Sequence, residues 1–272
     1  MTDDGRLDVR PEAAPLLASM GVATVADLLA RAEVVRDLPD RTNLVLRAPG
    51  ACLHVKRSRR RGPSREAAAL EVAARAGVPV ARIAFTGRAR GLGSVVGTFD
   101  LAPARPLDDL LREGLLDADG ATAALTATVR AAAALHAARL HHHDLYLNHV
   151  FVDPADPTRA TLIDLERTTS HHGLLGRAVV KDLAAIHATI PAATASCADR
   201  MRLLARYLEA RRFPVWSLLG RLSRRVEAKA ARIRAHVPRT PVGTAASGRP
   251  SASTPGATPR GPPGGAQAPP RP

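Results

Sequence analysis

The sequence predicts an α+β protein of two lobes, a small antiparallel sheet carrying one helix and then a mainly helical lobe. Three observations predict it. Short apolar runs separated by turn residues fill the stretch from Leu44 to Phe99. One Ala-rich helical pattern, Ser64 to Ala76, interrupts them. From Leu107 the periodicity becomes helical and stays so, broken only where a polar cluster ending at Asp144 meets two more apolar runs.

Composition bounds the rest. A chain of 272 residues with 46% hydrophobic content can bury a sizeable core in one large domain or two lobes. The net charge of +14 and pI near 11.3 imply an anionic partner: nucleic acid, a nucleotide, an anionic glycolipid or a membrane surface. Aromatic content of 3% leaves few side chains to stack on bases, which counts against nucleic acid. Two cysteines, Cys52 and Cys197, give no disulfide framework and point to a reducing compartment. The first residues are too acidic for a secretory signal, and no apolar run reaches the ~18 residues of a membrane span. The expectation is a soluble cytoplasmic protein that touches a membrane only peripherally, at its inner face.

Residues 1–34 read as an N-terminal extension with a short helical pattern around Val25–Leu29 and no identifiable chemistry. The sheet-bearing lobe spans 35–102. Leu44-Val45-Leu46 and Cys52-Leu53-His54-Val55 are strands joined by a Pro49-Gly50 turn. Alternation puts Leu53 and Val55 on one face, with His54 and Lys56 on the other. Lys56 then either lines a cleft or opens a solvated basic run ending at Arg61. The helix starts at Ser64, stops before Gly77, and carries Glu66 and Glu71. Val80–Phe85 and Ser94–Phe99, on either side of the basic turn Gly87–Gly93, complete the sheet.

The helical lobe spans 103–236. A short helix, Leu107–Leu111, precedes a long Ala-rich one, Ala121–Arg139, which delivers the chain to HHHDLYLNHVFV, His141 to Val152. Val150–Val152 and Thr161–Ile163 suit a hairpin around Asp153–Pro157, which would bring Asp144 and Asp164 to one edge. Helices follow from Lys181, from Asp199 to Arg212, and from Trp216 to His236. The basic side of the last, Arg221, Arg224, Arg225, Lys229 and Arg232, is either solvated or docked on an anionic membrane surface. Residues 237–272 hold ten Pro, six Gly and four Arg without an acid, the composition of a disordered tail.

The chemistry lies in two carboxylates. His142-His143-Asp144 fits an H-x-D loop, whose Asp accepts the proton of an attacking hydroxyl, and Asp164 ends a second apolar strand. His141, His143, His171 and His172 also invite a zinc reading. The metal-hydrolase patterns H-E-x-x-H and H-x-H-x-D-H are lacking, because position 145 is Leu and 146 is Tyr. HHHDLYLNHVFVD followed by TLIDLERT resembles the Kdo/WaaP-type lipopolysaccharide kinases, which share D-L-Y-x-x-H and are a bacterial branch of the protein-kinase-like fold. The likeness covers roughly residues 40–190 and is sharpest from His142 to Arg167.

That resemblance implies a two-lobed protein-kinase-like fold using ATP and Mg²⁺ to phosphorylate a sugar or glycolipid hydroxyl. Asp144 becomes the base, in a catalytic loop with His142. Asp164 becomes the metal ligand, with His149 and Glu166 beside it, although Glu166 can equally pair with Arg167 at the surface. Lys56 becomes the phosphate clamp, positioned by Glu66 or, as runner-up, Glu71. The backbone of Asp100, Leu101 and Ala102 becomes the hinge that meets adenine, and Asp182 braces the catalytic loop from below. Two departures stand out. No G-x-G-x-x-G occurs near Arg41-Thr42-Asn43, and His54 takes the place beside adenine usually given to a small residue. The acceptor is expected to be anionic, drawn in by the run Arg57–Arg61. Three readings remain open on the residues alone: a kinase of a sugar, a protein or another small molecule; a catalytically weak binding or scaffold protein; and a nucleic-acid binder.

Overall fold

The computed structural model describes residues 5–59, 64–170, 173 and 175–236. Its first layer is a six-stranded antiparallel sheet of order β1-β5-β6-β4-β3-β2. Strands β3 (Arg41–Ala48) and β4 (Ala51–Ser58) make the expected hairpin and run past the apolar residues at both ends. Gly50, with φ +74, supplies the left-handed residue that this tight turn needs. Strand β5 (Ile83–Ala89) starts later than its apolar run, because Val80 is already committed to a parallel bridge with Leu162. Ala81 N donates to Leu162 O at 3.1 Å and Leu162 N to Pro79 O at 2.8 Å, so this linker is stitched to the second lobe. In β6 (Gly93–Phe99), Gly97 lies under Phe85, whose ring would stand 2.3 Å from any added Cβ.

Residues 5–34, the described part of the expected N-terminal extension, belong to the sheet-bearing lobe. They supply edge strand β1 (Leu7–Val9), helices α1 (Ala14–Ser19) and α2 (Val25–Arg31), and the start of the other edge strand, β2 (Glu33–Asp37). Thr24 and Asp27 form a reciprocal capping box that starts α2. Leu17, Val25 and Leu28 of these helices share a core with Leu44, Leu46, Leu53, Val55 and Phe85 of the sheet. The strand alternation read from sequence therefore holds. Leu53 and Val55 face this core, leaving His54 and Lys56 to the opposite face, where Val96 joins helix α3 (Arg65–Arg75). Ser64 caps α3 by accepting from Ala67 N, and Gly77 at φ +74 ends it.

After β6 the chain crosses through Asp100–Ala104 to β7 (Arg105–Pro106) and α4 (Leu107–Arg112). Helix α5 (Ala118–Ala137) is capped by Asp117, which accepts from Gly120 N at 2.7 Å. Its alanines allow close approach, so Ala124, Leu125, Val129, Ala132 and Leu135 are buried in the core of this lobe. A two-residue strand β8 (Leu140–His141) leads into the polar loop and pairs later with β11 (Thr169–Ser170). Strands β9 (Val150–Asp153) and β10 (Asp156–Leu162) form the expected hairpin, with β7 alongside β9. Helices α6 (Arg177–Thr189), α7 (Cys197–Ala210) and α8 (Val215–His236) complete the lobe. No helix of the described residues is long and apolar enough to cross a membrane. The expected disordered tail, 237–272, lies outside the described residues.

Candidate active site

The polar loop is built from underneath. Asp182 of α6 is fully buried and accepts the backbone amides of His142 at 2.8 Å and His143 at 3.0 Å. His136 Nε2 and His141 Nε2 each stand 3.2 Å from the same carboxylate. With its Nε2–H spent on Asp182, His136 uses Nδ1 to accept the Tyr207 hydroxyl at 2.9 Å. Burial pushes the Asp182 carboxyl up, but the hydrogen bonds from His136 and His141 outweigh it and hold the group far below the usual carboxylate range. His143 has φ 73, a left-handed conformation costing on the order of 1–3 kcal/mol for a residue with a side chain. The grip of Asp182 on its amide holds that strained turn in place, and the turn aims the next residue, Asp144, outward.

A second set of bonds brings Asp164 alongside. His142 Nε2 donates to Ile163 O at 2.9 Å, and Ile163 N donates to His149 O at 3.1 Å. The loop is thereby tied to the residue preceding Asp164, itself left-handed at φ 59. His142 itself is enclosed. It is completely buried, its Nδ1 has no hydrogen-bond partner among the described residues, and burial lowers its pKa. So enclosed, His142 ties the loop to Ile163. Asp144 is partly exposed and accepts from Arg167 Nη1 at 2.8 Å. Arg167 was assigned no such role from sequence, because its partner is brought to it only by folding. The alternative pairing of Glu166 with Arg167 is not formed, and Glu166 instead accepts from Arg41 at 2.9 Å.

Lys56 connects the two lobes. Its Nζ lies 2.8 Å from both Glu66 Oε1 and Asp164 Oδ1. Glu66, in the first turn of α3, is the partner; Glu71 faces away and pairs with Arg10 at 2.5 Å. Burial works against the Lys56 charge, but Glu66 and Asp164 more than offset it and raise its pKa. Burial likewise opposes the Asp164 charge, and Lys56 lowers that pKa below the usual range. For Glu66 burial wins over Lys56, and its carboxyl is pushed up.

Ligand oxygens of Glu66, Asp164 and Glu166 lie within 4.8 Å of one another, a donor set of hard oxygens that fits Mg²⁺. His149 borders this set, with an imidazole nitrogen softer than the oxygens that Mg²⁺ prefers. Its Nδ1 donates to Asp144 O at 2.7 Å, so in the neutral ring the Nε2 lone pair faces Asp164 Oδ2 at 3.7 Å. Two acceptors so opposed call for a proton or a cation between them.

The remaining sequence candidates fall nearby or elsewhere. Asp100 turns its carboxylate back on its own segment, accepting from Leu101 N at 2.8 Å and meeting His54 Nε2 at 3.1 Å. Ala102 lies in the same crossing between the lobes. Arg57 and Arg59, expected to draw in the acceptor, are committed locally: Arg57 Nε donates to Leu92 O at 2.7 Å and Arg59 to Asp37 at 2.5 Å. Arg60 and Arg61 lie outside the described residues. Among the proposed zinc ligands, His141 binds Asp182 and His143 pairs with Thr169 Oγ1 at 2.9 Å, while His171 and His172 lie outside the described residues. On α8, Arg225, Lys229 and Arg232 line a groove with Arg177 and Lys181 of α6.

Comparison with known proteins bears on the family and the fold. The family model described as lipopolysaccharide kinase (Kdo/WaaP) family matches residues 53–207, from the Lys56 strand to Tyr207. A solved structure described as WaaP in complex with acyl carrier protein superposes with a TM-score of 0.66 at 25% sequence identity. The match covers 84% of this chain and 99% of that one, so the two-lobed kinase-like architecture extends over nearly all of the described residues. No curated protein matches in sequence. With its family match spanning more than half of its length, the chain belongs to the lipopolysaccharide kinase (Kdo/WaaP) family.

Proposed function

We propose that this kinase transfers the γ-phosphoryl group of ATP to a sugar hydroxyl of a lipopolysaccharide core. One observation carries the reading: Lys56 bridges Glu66 and Asp164, while His142 and His149, on either side of Asp144, are hydrogen-bonded to Ile163 next to Asp164. In phosphoryl transfer this is the needed division of labour, a cation and metal carboxylates on the nucleotide side and a separate carboxylate, here paired with an exposed arginine, on the acceptor side. Asp144 takes the proton of the attacking hydroxyl, and Arg167 gives up its bond to Asp144 as the acceptor enters. Lys56, fixed by Glu66, neutralises the nucleotide phosphates. Asp164, Glu166 and His149 would hold Mg²⁺, which supplies charge neutralisation at the transferred group. The Asp100–Ala102 backbone borders the adenine end.

The basic groove between α6 and α8 suits a peripheral contact with an anionic membrane surface, where a glycolipid acceptor resides. A second reading, a catalytically weak nucleotide-binding scaffold, is favoured by the missing Gly-rich loop and by His54 on the nucleotide face. ATP consumption by purified protein with Mg²⁺ and a panel of neutral and anionic core sugars separates the two. Acceptor-dependent turnover supports the kinase, and nucleotide binding without turnover on any acceptor supports the scaffold.

A further inference from the structure

We propose that Arg41 is a nucleotide-phosphate contact that replaces the missing Gly-rich loop, exchanging Glu166 for phosphate oxygens when Mg-ATP enters. The inference rests on the kinase reading and adds a residue to it. In a Gly-rich loop, backbone amides cover the phosphates. Here the β2–β3 connection is a tight turn that pairs its Leu38 and Arg41 amides across itself. Leu38 N donates to Arg41 O at 2.9 Å, Arg41 N donates to Leu38 O at 3.3 Å, and Pro39 has no N–H to give. What this turn sends into the cleft is a guanidinium.

Arg41 begins β3, and its Nη1 spans to Glu166 Oε2 at 2.9 Å, with both side chains 35% exposed. Glu166 belongs to the carboxylate trio with Glu66 and Asp164, and Lys56 grips Asp164 from the β4 side. Two cations thus face three carboxylates at one point of the cleft. A dication entering with the nucleotide would compete for Glu166 and Asp164, and the released guanidinium fork matches two phosphate oxygens better than a point charge does. The paired backbone of the β2–β3 hairpin holds the base of the side chain in place, so little ordering is required.

The test is the affinity of the full chain for Mg-ATP, Mg-ADP and adenosine, compared for wild type, Arg41→Ala and Arg41→Lys. Loss of a charge-assisted pair predicts about 10- to 100-fold weaker Mg-ATP binding in Arg41→Ala, a partial loss in Arg41→Lys, and adenosine affinity unchanged. That pattern marks a phosphate contact, which a structural role would not produce. Equal affinity of Arg41→Ala and wild type for Mg-ATP overturns the proposal, as does a parallel loss of adenosine and Mg-ATP. Should Arg41→Ala not fold, Arg41→Lys still decides: unchanged Mg-ATP affinity there removes the need for a fork. A wild-type chain that binds neither nucleotide nor adenosine sinks the kinase reading itself, an outcome distinct from failure of Arg41 alone.

Discussion

Arg167 donates to the Asp144 carboxylate at 2.8 Å while remaining 70% exposed itself. The proposed base is therefore partnered by a side chain that solvent reaches freely. An ion pair so exposed contributes ~0–1 kcal/mol and exchanges readily for another partner. Stability and catalysis separate at this residue.

Asp144→Asn should lower phosphoryl transfer by about 10²- to 10⁴-fold while shifting the unfolding free energy by no more than ~1 kcal/mol. Turnover assays and denaturant melts on the same preparation check both halves. A variant retaining most of the wild-type rate removes Asp144 from the mechanism.

Lys56 behaves differently, because Glu66 is buried beside it. Lys56→Met should destabilise the apo protein by on the order of 3 kcal/mol, through the uncompensated carboxylates. Burial already raises the Glu66 pKa, so the neutral form suits the fold and stability falls as pH rises through that folded value. The penalty in Lys56→Met should accordingly grow as pH rises above the ordinary carboxylate range, and adding Glu66→Gln should relieve it. Mg-ATP at ~100 times its Kd should stabilise wild type by about 2.7 kcal/mol, and both Lys56→Met and Asp164→Ala should blunt that gain.

Asp182 satisfies two loop amides and two imidazoles from a fully buried position. Asp182→Ala leaves those donors unpaired, at ~1–3 kcal/mol for each buried orphan. Asp182→Asn keeps the shape but trades an ionised acceptor for a weaker one. Hydrogen exchange at the His142 and His143 amides should accelerate in Asp182→Asn before exchange in the core of α5 changes. Uniform acceleration across both would show a general loss of stability instead of a local brace.

His187 of α6 gives a pH test remote from the site. It is 2% exposed, and burial, reinforced by Arg200, lowers its pKa to about 4. The folded state thus binds the proton less readily than the unfolded chain. Stability is intact above the unfolded value near 6.5 and drains away as pH falls toward 4, by about 2 kcal/mol between pH 7.5 and 5. Urea melts of wild type and His187→Leu isolate the effect. The acid loss of the variant should be shallower by that amount, and parallel curves would exclude His187 as the cause.

Although α5 and α6 begin three and four residues earlier than their periodic patterns, at Ala118 and Arg177, the sequence by itself determined the strand faces of β4 and the start and end of α3. Those features are local: alternation decides that Leu53 and Val55 turn inward and Lys56 outward, and Ser64 with Gly77 bounds α3 through backbone geometry over a few residues. Choosing Glu66 over Glu71 needed tertiary structure, since both lie on α3 and only the seating of the helix against the sheet presents one to Lys56. Arg167 and Arg41 gained their partners in the same way, across 23 and 125 positions of sequence. His142 carries the motif, and only packing shows it enclosed against Ile163. Residues 5–34 hid their place in the sheet, because edge strands as short as β1 leave almost no periodic signal and become strands by pairing with β5. Hydropathy is written residue by residue, whereas a pairing depends on which distant surface the fold delivers.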